Sequence, residues 1–288
     1  MKTGGCNVKK TCIVYGNCQI QPLRQYLISS TIFNRTYEMI NIPPVYLCNR
    51  ETGLDDYYLK KLYNCDLFIY QKVSPAYSYY LSDEYIISKL PKSCILISFS
   101  NTYFNGYHPQ YVHGKIDPYG DKNIIRFLNE GKSKKEIISI LSDDNFYSFH
   151  DVVTNFHITL DELKRREAEL DVTLDDYIEQ NYRDIHLFYT INHPNYRISR
   201  YLAIKILTKL GMPTQEISQM VIPSELSRYM QPIYPSVIKH LNINFVRQEE
   251  RYYTFDRHFT SFNPPILTFQ ECLSSYIDLL ISTGELQG

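Results

Sequence analysis

The sequence predicts an α/β fold, a parallel sheet flanked by helices, with additional helices in the C-terminal half. Three observations carry this expectation. Short, mostly apolar runs at 12–15, 65–71 and 94–99 have the length and β-prone composition of buried strands. Segments with apolar residues at helical spacing separate them, as in units where a helix returns the chain to a parallel neighbour. Finally, 288 residues of which 44% are hydrophobic suffice for one large α/β core.

In order, Thr11 to Tyr15 reads as the first strand, Gly16 as a permissive exit, and Ile20, Leu23 and Leu27 as the buried face of a helix. Residues 37–47 contain an extended segment, although Pro43-Pro44 excludes an uninterrupted central strand. A helix is expected over 54–63, a second strand over 65–71, a short helix over 82–90 opened by Ser82 and Asp83 and stopped by Pro91, and a third strand over 94–99. Two helices broken at Gly131 fill 121–143, with Ser133 and Glu136 as a capping box. The charged region 159–183, interrupted near 171–173, suits helices whose charges face solvent, and Thr159 with Glu162 is a second expected capping box. Residues 186–191 read as a fourth strand entering a helix that ends at Gly211. Helices over 235–241 and 269–281 and a short strand over 243–246 complete the pattern. The expected organisation is a single α/β domain over 1–288: an N-terminal α/β core at 11–110, a helical insertion at 120–185, and a return to the sheet plus C-terminal helices at 186–288.

Composition narrows the function. With 30 basic and 31 acidic residues there is no global nucleic-acid footprint, so a polyanionic ligand would need a local patch. Tyrosine is abundant at 27 against no tryptophan, which suits rings lining a surface or cleft where the hydroxyl finds a partner. Seven cysteines without a CxxC pair resemble neither a disulfide framework nor a metal site; Cys12, Cys65 and Cys94 read as core residues, and a reducing, cytoplasmic compartment is expected. No apolar run precedes the first strand, and no window approaches the roughly 20 apolar residues of a transmembrane segment.

Ligands of open parallel sheets collect at the carboxyl ends of the strands. Three stretches qualify: 16–19, 71–75 and the long, aromatic and amide-rich 98–109. Cys18 falls where strand gives way to helix, a position where backbone N–H groups and the helix dipole would lower a thiol pKa and hold an oxyanion. It reads either as a nucleophile or as a packed cysteine at a turn. Gly16, Asn17 and Gln19 are candidate cofactor contacts; the amide side chains of Asn17 and Gln19 flank the cysteine and would orient an acyl carbonyl or serve the turn itself. Of the eight histidines, His193 is the first candidate base, since it follows a predicted strand and precedes a helix, and His108 in the aromatic loop is the second. His258, beside Asp256, is placed less well. Asn101 is a candidate oxyanion donor or a loop amide bonded locally. Arg24, Lys72, Arg197 and Arg200 are candidate phosphate contacts or plain surface cations.

Gly16-Asn17-Cys18-Gln19 after a buried strand, the 98–109 segment with Tyr103, Phe104, Gly106, Tyr107 and Pro109, and Thr190-Ile191-Asn192-His193-Pro194 together resemble the WcbI family of capsular polysaccharide biosynthesis proteins. The resemblance spans about residues 11–210. It implies a Rossmann-like or SGNH-like three-layer fold and an O-acetyltransferase that binds coenzyme A. Acetyl-CoA would be the donor, a carbohydrate hydroxyl the acceptor, and no metal would be involved. It also allows peripheral association with a polysaccharide assembly complex. The layout is similar to a cysteine variant of the SGNH hydrolases, but Gly-Asp-Ser and a C-terminal Asp-x-x-His are missing, which leaves the base and its carboxylate open. Two other readings stand beside it: a cysteine-dependent esterase or thioesterase, and a noncatalytic CoA- or glycan-binding assembly protein.

Overall fold

The computed structural model describes residues 8–114, 117–246, 252–253 and 266–284. In chain order the elements are β1 (Lys10–Tyr15), α1 (Ile20–Ser29), α2 (Thr31–Thr36), β2 (Tyr37–Ile40), α3 (Asp56–Leu62), β3 (Leu67–Gln71), α4 (Asp83–Ile87) and β4 (Ile95–Phe99). There follow β5 (Tyr111–Val112), β6 (Gly120–Asp121), α5 (Lys122–Asn129), α6 (Lys134–Leu141), α7 (Phe149–Glu167) and α8 (Asp175–Asn181). The last are β7 (Phe188–Thr190), β8 (His193–Pro194), α9 (Tyr196–Lys209), α10 (Gln215–Ser218), α11 (Pro235–Leu241), β9 (Tyr252–Tyr253), β10 (Ile266–Leu267) and α12 (Phe269–Thr283). The fold is the expected α/β class, a four-stranded parallel sheet flanked by helices.

The chain was expected to form one domain, and its contacts gather into two compact units that interleave in sequence. The first comprises Met1–Asn101, Arg166–Leu174 and Tyr196–Ser224; the second comprises Thr102–Arg165, Asp175–Asn195 and Glu225–Gly288.

The first unit holds the parallel sheet, in the order β2-β1-β3-β4. Both faces are covered, which is why the central strands read as continuous apolar runs. Ile13, Tyr15 and Phe68 enter one core with Leu62, Leu81 and Ile86, while the alternate residues Cys12, Val14 and Ile69 are equally buried toward the opposite face. Tyr15 reconciles a phenol with this core by donating its hydroxyl to the Leu81 carbonyl at 2.5 Å. Pro43-Pro44 does what its chemistry requires: β2 ends at Ile40 and occupies an edge of the sheet. At the other edge Val172 bridges Phe99 in parallel, and Asp171 accepts both the backbone N–H and the hydroxyl of Ser98, at 2.9 and 2.8 Å.

The expected fourth strand is a correction. Residues 188–190 form β7, which pairs antiparallel with β8 in a two-stranded ladder of the second unit, so the chain does not return to the parallel sheet there. A three-residue strand carries too few apolar positions to declare which partner it takes. In this unit the 98–109 segment, from Thr102 onward, supplies core: Phe104 and Tyr107 are fully buried, and Phe104 stacks on Phe188 with centroids 5.0 Å apart. The Ser133 and Glu136 capping box forms as expected. Thr159 caps nothing, because α7 begins at Phe149, where Ser148 accepts the Asp151 N–H at 3.1 Å and donates its hydroxyl to the Asp151 carboxylate at 2.7 Å. Residues 243–246 are irregular. Among the described residues no helix is long and apolar enough to cross a membrane.

Candidate functional site

Strand order reverses around β1, whose neighbours are β2 on one side and β3 on the other, so the crevice at the carboxyl ends of β1 and β3 is the switch point of the sheet. The turn 16–19 lies there. Gly16 has φ +155°, and a Cβ at this position would fall on Oε1 of Gln71, so glycine permits a close approach that any side chain would block. The Gly16 carbonyl accepts the Val45 N–H at 2.9 Å.

Asn17 and Gln71 then hold the turn. Gln71, 1% exposed at the end of β3, accepts the Asn17 N–H on Oε1 at 2.9 Å. Its Nε2 donates to Gln19 Oε1 at 3.0 Å and to the Ser100 carbonyl at 3.2 Å. Asn17 accepts the Gln19 N–H on Oδ1 and donates Nδ2 to Asn101 Oδ1, both at 2.9 Å. The three expected strand ends of this unit, after β1, β3 and β4, are thereby joined by one network of side-chain amides. Asn101 is exposed, and its carbonyl accepts from Arg166 at 3.3 Å.

Cys18 is a half-buried free cysteine within this turn. The expected depression of its thiol pKa is corrected: burial pushes it up, and the backbone N–H groups of Cys18 and Gln19 offset only part of that. The helix begins at Ile20, so Cys18 stands one residue before its cap, and a mostly desolvated sulfur gains little from a ten-residue helix. Tyr46 is near enough for a Cys18 thiolate to disfavour its phenolate, which marks it as a neighbour of the sulfur.

The expected phosphate contacts separate into distinct environments. Arg24 is corrected from surface cation to internal brace: it is 7% exposed and donates to the carbonyls of Val14 and Ile42 at 2.6 and 2.9 Å, and burial lowers its pKa to about 10. Lys72 forms an exposed ion pair with Glu169 at 3.0 Å. Arg200 donates to the Met220 carbonyl at 3.0 Å and lies over the Tyr196 ring, as does Arg197 at 5.4 Å from its centroid.

The candidate bases belong to the second unit. His108 has no exposed surface, and burial with His186 nearby drives its pKa down to about 3, so it is a core histidine closed to substrate. His193 is half-buried; burial lowers it to about 4, and its Nε2 lies 3.0 Å from the hydroxyl of Tyr119, which also donates to Asn192 Oδ1 at 2.9 Å. Its imidazole is neutral at pH 7. His258 and Asp256 lie outside the described residues.

Three residues of the first unit escaped the sequence reading. Gln71 carried a weak signal as a lone amide ending an apolar strand. Arg166 was hidden in a charge run that read as a solvated face, and Tyr46 was one tyrosine among many. Among the described residues no three His, Cys, Asp or Glu side chains gather so as to hold a metal ion.

Comparison with known proteins adds the lineage. A solved structure of WcbI, described as a novel polysaccharide biosynthesis enzyme in its native form without a disulfide bond between coenzyme A and a cysteine, aligns with a TM-score of 0.73 at 20% identity. The alignment covers 97% of this chain and 98% of that one, and at such identity it shows the fold. No curated protein matches the sequence. The family model described as polysaccharide biosynthesis enzyme WcbI matches residues 11–215, and the chain belongs to that family.

Proposed function

We propose that this enzyme is an O-acetyltransferase that takes acetyl from acetyl-CoA and gives it to a sugar hydroxyl during polysaccharide assembly. The observation that carries the reading is the Cys18 turn: a half-buried thiol at the switch point of the sheet, held by amides from three strand ends. The related WcbI structure is described in terms of coenzyme A and a cysteine, and Cys18 is the described cysteine that follows the carboxyl end of a sheet strand.

Burial keeps Cys18 protonated near neutral pH, which favours direct transfer over an acetylated cysteine. The sugar oxygen attacks the thioester carbonyl carbon, forming the new C–O bond as its proton passes to a base; His193, whose imidazole is neutral, is the base candidate to be tested by substitution. The tetrahedral oxyanion is held by N–H donors of the turn, the Cys18 backbone and the Asn101 amide. The C–S bond then breaks, and coenzyme A leaves as a thiolate that recovers the proton. Cys18 serves by packing against the leaving sulfur. Gly16, Asn17 and Gln19 position the donor, with Lys72, Arg197 and Arg200 as phosphate contacts to be tested singly.

Thiol release from acetyl-CoA, measured with and without glycan acceptors and followed by intact-mass analysis, tests this. Release should depend on the acceptor, leave no acetyl group on the protein, and slow by about 10- to 100-fold in Cys18→Ala. Equal release without acceptor would make the protein a hydrolase, and an acetyl group lost in Cys18→Ala would replace direct transfer with the covalent route.

A further inference from the structure

The second unit contains a cavity of about 370 Å³, within the range of small-molecule pockets and near its lower end. One wall is aromatic: Tyr119 and Tyr229 stack with centroids 5.1 Å apart and planes at 23°. The polar part of the lining combines tyrosine and serine hydroxyls with carboxyl and amide acceptors. Asp117 is 3% exposed; it accepts the Tyr119 N–H at 2.8 Å and the Tyr229 hydroxyl at 3.4 Å. Asp121 adds a second buried carboxyl, directed to the first turn of α5 and to the Tyr234 hydroxyl.

Two glutamines complete the lining. Gln110 and Gln231, 1% and 3% exposed, donate Nε2 to the carbonyls of Pro232 and Tyr119 at 3.3 Å. Each leaves its Oε1 without a hydrogen-bond partner among the described residues. Buried carbonyl oxygens without a donor are uncommon and point to a group the protein itself does not supply.

Among the described residues lining the cavity there is no Lys, Arg or His. A phosphate or carboxylate brought into it would meet the carboxyl groups of Asp117 and Asp121, and Lys134, the cation bound to the lining residue Asp278 at 2.7 Å, is already neutralised by that pair, so burying the anion costs more than the contact returns. A neutral molecule with many hydroxyl groups has the opposite fit: O–H donors for the acceptors, and an apolar C–H face for the tyrosines. We propose that this cavity binds one neutral, hydroxyl-rich sugar and is the acceptor pocket of the enzyme. Its wall residue Tyr119 is the hydroxyl that lies 3.0 Å from Nε2 of His193, so the pocket and the candidate base share a residue of the same unit. The acceptor role rests on the acetyl-transfer reading, whereas the binding itself does not.

Saturation-transfer NMR on the full chain without acetyl-CoA tests it. The probes are methyl glucoside, methyl mannoside and N-acetylglucosamine as neutral sugars, and glucose 6-phosphate and glucuronate as anionic ones. At about 10 mM probe, suited to millimolar affinity, at least one neutral sugar should show transfer and the anionic sugars none. Tyr229→Ala should abolish the signal by removing the aromatic wall. Ser275→Trp, at an exposed lining position of α12, should abolish it by filling the cavity without touching the core. Transfer to no neutral sugar, equal transfer to the anionic ones, or transfer that survives Ser275→Trp would overturn the proposal. Neutral-sugar binding by a protein that never consumes acetyl-CoA refutes acetyl transfer alone; sugar acetylation that persists with the cavity filled refutes the pocket alone.

Discussion

The side chain of Gln71 accepts the backbone N–H of Asn17 at 2.9 Å, so one amide at the end of β3 directs the chain as it leaves β1. The same side chain bonds Gln19 and the Ser100 carbonyl, and it is almost fully buried. Replacing it leaves a donor, the Asn17 N–H, and two acceptors, Gln19 Oε1 and the Ser100 carbonyl, without this partner. Gln71→Ala should lower unfolding stability by about 2 to 4 kcal/mol, read from urea midpoints, and weaken any thermal shift produced by coenzyme A. Unchanged stability would show that the amide network is incidental.

Arg24 joins the carbonyls of Val14 and Ile42 from inside the protein. Arg24→Met keeps the stem and removes the donors, and should cost about 2 to 3 kcal/mol in urea unfolding. The salt dependence of coenzyme A binding should be the same in the variant, because a buried brace neutralises no phosphate. A reduced salt dependence would return Arg24 to the ligand.

Stability should fall as the medium is acidified from pH 7 to pH 5. His108 and His186 are buried, with pKa values lowered from 6.5 to about 3 and about 4, so the unfolded chain binds protons that the folded protein refuses. Their contribution is complete above about pH 6.5 and is lost as pH falls toward those depressed values, at about 1 to 2 kcal/mol each by pH 5. Asp121 works in the opposite sense, since burial raises its pKa to about 6 and its contribution is lost as pH rises through that value. The two histidines outweigh it. His186→Phe, placed where the ring already stacks on Phe245 at 4.8 Å, should flatten the pH dependence of the urea midpoint. A steeper dependence would contradict the assignment.

Alkylation should report the state of Cys18 directly. Iodoacetamide labelling, located by peptide mass spectrometry, should rise with pH on a curve displaced to the alkaline side of a free thiol, because burial disfavours the thiolate. Prior coenzyme A should protect the site. Rapid labelling near pH 6 would indicate an activated thiolate and reopen the covalent route.

Much of the first unit was legible in the chain. The runs 12–15 and 65–71 mark the strands β1 and β3 because burial on both faces demands apolar residues at consecutive positions, and the run 94–99 marks β4, buried at Ile97 to Phe99 but exposed at Ile95 and Leu96 near the sheet edge. Pro43-Pro44 announced an edge, and Gly16 announced the sharp turn before Cys18. The segment 186–191 misled because a three-residue strand looks alike in a parallel sheet and in an antiparallel ladder. The aromatic 98–109 segment misled in a similar way: rings that suit a cleft also suit a core, and Phe104 and Tyr107 are core.

Local order along the chain thus determined the parallel sheet and the placing of Cys18 at the end of its first strand, since both follow from neighbours within a few residues. Tertiary structure alone decided what those side chains became. Gln71 meets Asn17 across 54 positions, Arg24 turns inward to two carbonyls, and burial raises the Cys18 thiol that its sequence context would have lowered. Desolvation and hydrogen bonding depend on which atoms surround a group in space, and a pattern of neighbours along the chain does not contain that distance.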